Sequence, residues 1–231
     1  MTFLAKTVGA GLWADTSETL TLAHYQFLAR AGYRGCFRYV PNASGGGPGI
    51  QPDELEAALS VLCPDGSPFA IQFVQFARSA GVCATSGQED GQCAAEYVKK
   101  LGSPPTVCTW QDLAVAPKAD AIAYSNASYA AMVETFLAAS APGCYCEPGY
   151  PLTALERYSL LHLHRYWATA ASDPNRFVAN RGNQVLQLWE SNRGEFSPIP
   201  GLLIDADAIQ MDWFQDLPVA LIADWIASEP R

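Results

Sequence analysis

Residues 9–40, GAGLWADTSETLTLAHYQFLARAGYRGCFRYV, contain a strand, a helix and a second strand in succession. Gly9–Ser17 is a short strand that ends in polar residues, and apolar side chains then recur at helical spacing from Leu22 to Ala29. Gly32 ends the helix, and Cys36–Val40 follows as a compact apolar strand. This order predicts a parallel βαβ unit with a right-handed crossover.

The same alternation continues along the chain and predicts one α/β domain over residues 1–231. Further strands are expected at 69–76, 106–112, 143–147, 165–169, 184–190 and 202–206, and helices at 51–62, 91–101, 126–139, 152–163 and 213–226. With about eight strands in this length, a single (β/α)8-like barrel of the TIM type fits better than a doubly wound sheet. In this pattern the later helices are short or missing.

Composition excludes several classes of function. Of the 231 residues, 49% are hydrophobic and 16% are charged, so the chain can bury a core and is not a disordered, solvating one. A net charge of -9 and a sequence pI near 4.7 argue against nucleic-acid binding, which needs clustered Lys and Arg. No apolar run reaches the roughly 20 residues of a membrane helix. The start of the sequence shows no secretory signal, so we expect synthesis in the cytoplasm.

The cysteines do not form a metal-binding pattern. There are seven, none in a C-x-x-C arrangement, and only three His accompany them. We therefore expect buried free thiols and no metal site, with one or two disulfides as the alternative outside a reducing compartment. No phosphate-binding glycine motif follows a strand in the required frame, so no cofactor is expected.

Polar residues lie at the ends of most predicted strands. The carboxyl ends of parallel barrel strands meet at one mouth, where such barrels hold their chemistry. The end residues are Asp15, Arg38, Gln75, Asp112, Glu147, Glu190 and Asp205, and their aromatic neighbours are Trp13, Tyr39, Trp110, Tyr145 and Trp189. Glycoside hydrolysis uses one carboxyl to protonate the leaving oxygen and a second to stabilise or attack the oxocarbenium centre, while aromatic rings pack on sugar faces. Taken one at a time, most of these acids are more typical of helix caps or solvated loops, and the Trp residues of a core, so only their shared placement indicates a glycan site.

Four segments resemble the glycoside-hydrolase-like domains of unknown function that are related to family 25 lysozymes. They are Gly11–Asp15, Ala31–Tyr39, Val107–Asp112 and Val185–Trp189 followed by Pro200–Asp205. The resemblance implies an incomplete (β/α) barrel and an activity on the bond between N-acetylmuramyl and N-acetylglucosamine units of peptidoglycan. It also implies that Asp15 and Asp205 are the acids that line the sugar site and that Trp189 is the aromatic residue of the penultimate strand.

The fourth predicted strand departs from the lysozyme pattern. Those enzymes carry an Asp-x-Glu pair there, with the Glu as general acid. This chain has Trp110-Gln-Asp112 or Asp112-Leu-Ala114, depending on the register, so one carboxylate is present in either case. An Asp in the place of the acid is one methylene shorter, and a misplacement of about 1 Å can reduce the rate about a hundredfold.

Two hypotheses follow for the function. In the first, the protein is a lysozyme- or muramidase-like glycoside hydrolase of bacterial cell-wall polysaccharide, with Asp112 as general acid, Asp205 as stabilising or nucleophilic carboxylate and Asp15 as substrate-binding acid. Its substrate-binding residues would be Trp13, Arg38, Tyr39, Trp110, Glu147, Trp189 and Glu190.

In the second hypothesis the barrel has lost catalysis and serves as a glycan-binding or structural module, for example in a phage particle or a secreted assembly. A peptidoglycan-like polysaccharide is the expected partner in both cases. A phage origin, with release by lysis machinery or association with the virion, suits a wall-acting protein without a signal. An unrelated barrel chemistry on a small molecule is the third alternative.

Overall fold

The structure is a computed structural model that describes residues 2–45, 49–78, 80–114, 116, 118–146, 151–168, 183–189, 197–212 and 215–224. The strands in these ranges are β1 Phe3–Thr7, β2 Gly11–Thr16, β3 Tyr33–Val40, β4 Ala70–Phe76, β5 Thr109–Asp112, β6 Pro142–Cys146, β7 Tyr166–Ala168, β8 Val185–Trp189, β9 Asp205–Ile209 and β10 Val219–Ala223. The helices are α1 Leu22–Arg30, α2 Pro52–Leu59, α3 Ala84–Lys100, α4 Lys118–Thr135 and α5 Ala154–Leu160.

Eight strands, β2 to β9, form a closed barrel in chain order. Each pairs with the next, and β9 pairs with β2 to complete the ring. From β2 to β8 neighbouring strands are parallel, and the intervening helices lie on the outside, as the alternation of strands and helices predicts. The predicted α/β barrel fold is therefore confirmed.

Strand β9 runs against both of its neighbours, which corrects the predicted parallel strand at 202–206. It lies at Asp205–Ile209 and pairs antiparallel with β8 and β2. A parallel connection needs a crossover that returns the chain to the starting end of the sheet, usually through a helix. Residues 197–204 contain turns and no helix, so the chain enters β9 from the mouth.

The tail is a strand where the sequence predicted a helix at 213–226. Strand β10 pairs antiparallel with β1 along its whole length and meets β4 near the amino end of that strand, at Leu221 and Ile71. Its sequence, Val-Ala-Leu-Ile-Ala, is a short apolar run that periodicity alone cannot assign to a strand or a buried helix. Residues 213, 214 and 225–226 of the predicted helix lie outside the described residues.

Four aromatic side chains fill the centre of the barrel: Trp13, Phe37, Trp110 and Trp167 are fully buried. The ring centroids of Phe37 and Trp167 are 4.3 Å apart, and those of Trp110 and Trp167 are 5.8 Å apart. The Trp110 indole N–H donates a hydrogen bond to Oε1 of Gln72 at 2.7 Å. This aromatic layer closes the barrel from below and forms the floor of its mouth.

Helices α3 and α4 begin earlier than predicted and pack closely against each other. Ser125, which precedes the predicted start of this helix, is buried in the middle of α4, and its hydroxyl lies 2.7 Å from the side-chain amide of Gln111. A Cβ atom at Gly87 would lie 2.3 Å from the carbonyl oxygen of Tyr124, and one at Gly91 would lie 2.3 Å from that of Ser128. Glycine at these two positions lets the backbones approach.

Candidate functional site at the barrel mouth

Polar side chains line the inward face of the barrel directly above the aromatic floor. Residues two apart on a strand share a face, so Asp15 faces inward with Trp13, Tyr39 with Phe37 and Asp112 with Trp110. All three lie at the carboxyl ends of parallel strands. The predicted gathering of strand-end residues at one mouth is thus present for these positions.

Asp205 reaches the same mouth from the opposite direction. It is the first residue of the antiparallel strand β9, and its register partner across the sheet is Asp15. Its carboxylate Oδ2 accepts a hydrogen bond of 3.0 Å from Nε2 of Gln187 on β8. The structure therefore brings Asp15, Asp112 and Asp205 together, and the negative charges of Asp205 and Asp112 both act on Asp15.

Asp112 is buried, with 4% of its surface exposed. Its Oδ1 accepts a hydrogen bond from the Ala114 N–H at 2.9 Å, and its Oδ2 accepts one from the Tyr39 hydroxyl at 3.5 Å. Burial raises the pKa of Asp112 to about 7, although both hydrogen bonds act to lower it. The carboxyl thus changes charge near neutral pH, which suits a group that donates a proton.

Asp15 is also held in its neutral form. Burial raises its pKa well above the usual value, and the nearby charges of Asp205 and Asp112 raise it further. Arg38 acts in the opposite direction. The Oδ1 atom of Asp15 is buried and accepts no hydrogen bond.

Trp13 and Trp110, predicted to stack on sugars, belong instead to the floor. Both are fully buried in the aromatic layer, two residues before Asp15 and Asp112 on the same faces of their strands. Their faces pack against other side chains, as in the core interpretation that the sequence left open. Tyr39, by contrast, lies at the level of the acids and packs on Phe76, with ring centroids 5.6 Å apart.

Arg38, also predicted to bind substrate, lies on the outer face of its strand, opposite to Tyr39. Its guanidinium forms an ion pair of 2.8 Å with Glu54 of α2 and donates to the carbonyl oxygen of Thr16. Only 1% of Arg38 is exposed. Gln75 lies outside the barrel as well, where it contacts Tyr124 and Ser128 of α4.

Three further predicted residues are not placed. Glu147 and Glu190 lie outside the described residues, as does the side chain of Trp189, whose backbone ends β8. Gln187 was missed by the sequence analysis. Its alternation with Val185, which faces the barrel interior, was the available signal.

All seven cysteines are free thiols and five of them are buried, as expected, whereas Cys83 is exposed and Cys93 is half-buried. In the described part of the chain, no group of three or more His, Cys, Asp or Glu side chains is arranged to hold a metal ion. Within the same residues, none of the helices has the length and apolar character that crossing a bilayer requires.

No protein-family model matches the sequence, and none of the curated proteins matches it. The fold is nevertheless similar to that of solved structures, which include family 25 glycosyl hydrolases. At the identities found, these matches describe the fold.

Three of these structures illustrate the likeness. The Tat-secreted protein Rv2525c of Mycobacterium tuberculosis, in complex with L-tartrate, has a TM-score of 0.61 and 15% identity, with 87% of this chain and 96% of that chain covered. The modular autolysin LytC of Streptococcus pneumoniae, in complex with a synthetic peptidoglycan ligand, gives 0.59 and 14%, with 88% of this chain and 48% of that chain covered. A family 25 glycosyl hydrolase from Bacillus anthracis gives 0.55 and 9%, with 92% and 94% covered.

Proposed function

We propose that the protein hydrolyses a bacterial cell-wall glycan at the barrel mouth by a two-carboxylate mechanism. The observation that carries the proposal is the placement of Asp15, Asp112 and Asp205 on one inward-facing level above the aromatic floor. Barrels of similar fold include family 25 glycosyl hydrolases and an autolysin solved with a peptidoglycan ligand.

We assign Asp112 the role of general acid. Its pKa of about 7 means that much of the population carries the proton at neutral pH. The leaving glycosidic oxygen takes that proton as the bond breaks. The hydrogen bonds from Tyr39 and Ala114 then stabilise the carboxylate that is left behind, because both donate to it.

We assign Asp205 the role of the carboxylate that stabilises or attacks the oxocarbenium centre. It is half-buried, whereas Asp15 is almost fully buried, and it accepts a hydrogen bond from Gln187. Of two neighbouring carboxyls, the one with more polar surroundings ionises first. We expect Asp15 to retain a proton while Asp205 is charged, which leaves Asp15 to bind substrate.

A glycan-binding barrel without turnover is the second candidate, and the structure of β5 supports it. Asp112 is the one carboxylate of that strand, and the residue two positions earlier on the same face is Trp110 of the floor. The Asp-x-Glu pair expected of the lysozymes is thus replaced by Trp-x-Asp.

Purified protein incubated with peptidoglycan separates the two candidates. If the protein hydrolyses peptidoglycan, new reducing ends appear. Asp112→Asn should produce fewer by roughly 100-fold or more, because the general acid is lost. Glu56→Gln, which changes an exposed acid of α2, should produce as many as wild type. Sedimentation with peptidoglycan but no reducing ends, equal in wild type and Asp112→Asn, would establish the binding module. If the protein neither sediments with peptidoglycan nor produces reducing ends, both candidate functions are rejected.

A further inference from the structure

Two cysteine side chains lie in contact on the outer face of β6, away from the barrel mouth. Cys144 and Cys146 are two residues apart on the strand and share a face. Tyr145 between them points into the barrel, where its ring packs on Trp167 with centroids 4.4 Å apart. The Sγ atoms of the two cysteines are 3.9 Å apart, and both side chains are fully buried. The strand thus presents a pair of adjacent thiols that the proposed hydrolysis does not use.

The backbone that carries the two thiols is fixed on both sides. Strand β6 pairs in parallel with β5 and with β7. The Cys144 N–H donates to the Arg165 carbonyl oxygen at 2.9 Å, and the Tyr145 carbonyl oxygen accepts from the Leu113 N–H at 2.8 Å. The sulfur atoms are therefore already close together before a ligand binds, so an ion that bridges them has little ordering cost to overcome.

A buried cation accompanies the two thiols. Arg157 of α5 is fully buried, and its positive charge acts on both cysteines. Asp112, which faces the mouth on the other side of the sheet, acts on them less strongly. Two thiolates and one guanidinium together carry one negative charge, so a monovalent cation between the sulfur atoms makes the group neutral. A divalent cation would leave a net positive charge on the group, which is unfavourable in a buried place.

We propose that Cys144 and Cys146 bind one copper(I) ion between their sulfur atoms. Thiolates are the ligands that copper(I) prefers, and two of them suffice for this ion. A metal–thiolate bond is about 2.3 Å long, as for zinc, so one ion can bridge sulfur atoms that are up to roughly 4.6 Å apart. The separation of 3.9 Å lies within this reach.

Binding exchanges protons for the metal ion and transfers no electrons. The S–H bond of each cysteine breaks, two sulfur–copper bonds form, and the two protons pass to the solvent. Copper stays in the monovalent state throughout. Because the thiols lie on the outer face of β6 and not at the mouth, this inference does not depend on the proposed function.

Anaerobic titration of the purified protein with copper(I), in competition with the chromogenic chelator bicinchoninate, measures the stoichiometry and the affinity. Each point is left to equilibrate, because the ion must reach buried thiols. We expect one copper(I) per chain that the chelator does not remove. X-ray absorption spectroscopy of the loaded protein should show two sulfur ligands on the copper.

Variants test whether the copper lies at this pair. Cys144→Ala and Cys146→Ala should each lower the affinity by at least about 100-fold, the upper end of the loss for residues that only support metal ligands. Arg157→Met should lower it by about 10–100-fold as such a supporting residue, and Arg157→Lys, which keeps the charge, should lower it less. Cys83→Ala removes an exposed thiol and should leave the affinity unchanged. Far-ultraviolet circular dichroism checks that each variant is folded.

One measurement needs no variant at the pair. Fragmentation of the copper-loaded wild-type protein in native mass spectrometry shows which part of the chain retains the ion. Copper on the fragments that contain residues 144–146 would support the proposal even if neither cysteine variant folds. Copper on other fragments would reject it.

Several outcomes of the titration overturn the proposal. Binding that is lost in Cys83→Ala but kept in Cys144→Ala and Cys146→Ala would show adventitious copper at the exposed thiol. Complete removal of copper by the chelator would reject the site. Zinc(II) bound at the pair in preference to copper(I), with further ligands in the absorption spectrum, would reject the monovalent ion. Equal affinity in Arg157→Met and wild type would reject the role of the buried charge.

Discussion

Asp15 and Asp205 lie directly opposite each other in the antiparallel pair formed by β2 and β9. Two carboxyls in register on one face are close enough to repel when both are ionised, since opposite Cβ atoms are about 4.5–5.5 Å apart. Burial of Asp15 adds to this repulsion, and together they raise its pKa well above the usual value. The pair therefore holds a proton at a pH where exposed aspartates have lost theirs.

Removing the charge of Asp205 tests this relationship. In Asp205→Asn we expect the pKa of Asp15 to fall, because the repulsion is gone, yet to stay above its usual value of about 3.9, because burial is the larger cause. Carboxyl carbon NMR titration of Asp15 measures the shift. An unchanged pKa would mean that the charge of Asp205 does not contribute to it. Asp53→Asn, an exposed acid at the start of α2, is the control that should have no effect.

Asp112 links stability to pH. Its pKa is about 7 in the folded protein and about 4 in the unfolded chain, so the folded state binds the proton more tightly. The stabilisation is complete at low pH and is lost as the pH rises from about 4 through about 7.

The variant Asp112→Asn removes this dependence. Relative to wild type, we expect it to gain up to about 2–4 kcal/mol between about pH 5 and about pH 8. Urea unfolding at the two pH values measures the change in the free energy of unfolding. If the free energies of unfolding of wild type and Asp112→Asn change equally with pH, the prediction is wrong. The control Asp53→Asn should change with pH as wild type does.

Much of the barrel was predictable because strand and helix periods alternate so regularly. Asp15 and Asp112 could be placed at the mouth for the same reason, since each ends a strand whose direction follows from a helical crossover. Asp205 was placed correctly for the wrong reason. It was taken to end a parallel strand, whereas it begins an antiparallel one, and both geometries put it at the mouth.

The roles of Trp13, Trp110 and Arg38 could not be deduced because both faces of the barrel strands are buried. On β3, Cys36 and Val40 pack outward while Phe37 packs inward, and all are apolar. Strands buried on both faces give no polar and apolar alternation from which to tell inside from outside. Arg38 was therefore predicted at the mouth, although it lies on the outer face of β3, against α2.

The position of Arg38 predicts an effect on stability and not on glycan binding. Glu54 Oε1 accepts hydrogen bonds from the Leu20 N–H at 3.0 Å and the Tyr25 hydroxyl at 2.9 Å in addition to its ion pair with Arg38. In Arg38→Met the Glu54 carboxylate is left buried without its cation, which should destabilise the fold by about 3–5 kcal/mol.

A double-mutant cycle identifies the cause. Arg38→Met combined with Glu54→Gln should be less destabilised than the sum of the two single variants, because no unpaired charge is left. Urea unfolding measures stability, and the affinity for peptidoglycan of the folded variants should match that of wild type. A loss of affinity with unchanged stability would return Arg38 to the glycan site.

The contact between α3 and α4 predicts that a single added methyl group destabilises the fold. In Gly87→Ala the new Cβ would meet the Tyr124 carbonyl oxygen at 2.3 Å, which is backbone and cannot rotate away. Alanine favours the helix by about 1 kcal/mol over glycine, but separating the two helices opposes this gain. We expect a net loss of about 1–3 kcal/mol in the free energy of unfolding. Gly9→Ala, whose Cβ meets nothing within 4 Å, should change it by less than about 0.5 kcal/mol.

Because Tyr124 also holds Gln75 on β4 through a hydrogen bond of 2.8 Å, the displacement should reach the barrel wall. Hydrogen exchange of β4 amides would then accelerate in Gly87→Ala but not in Gly9→Ala, and equal protection in both variants would contradict the close contact.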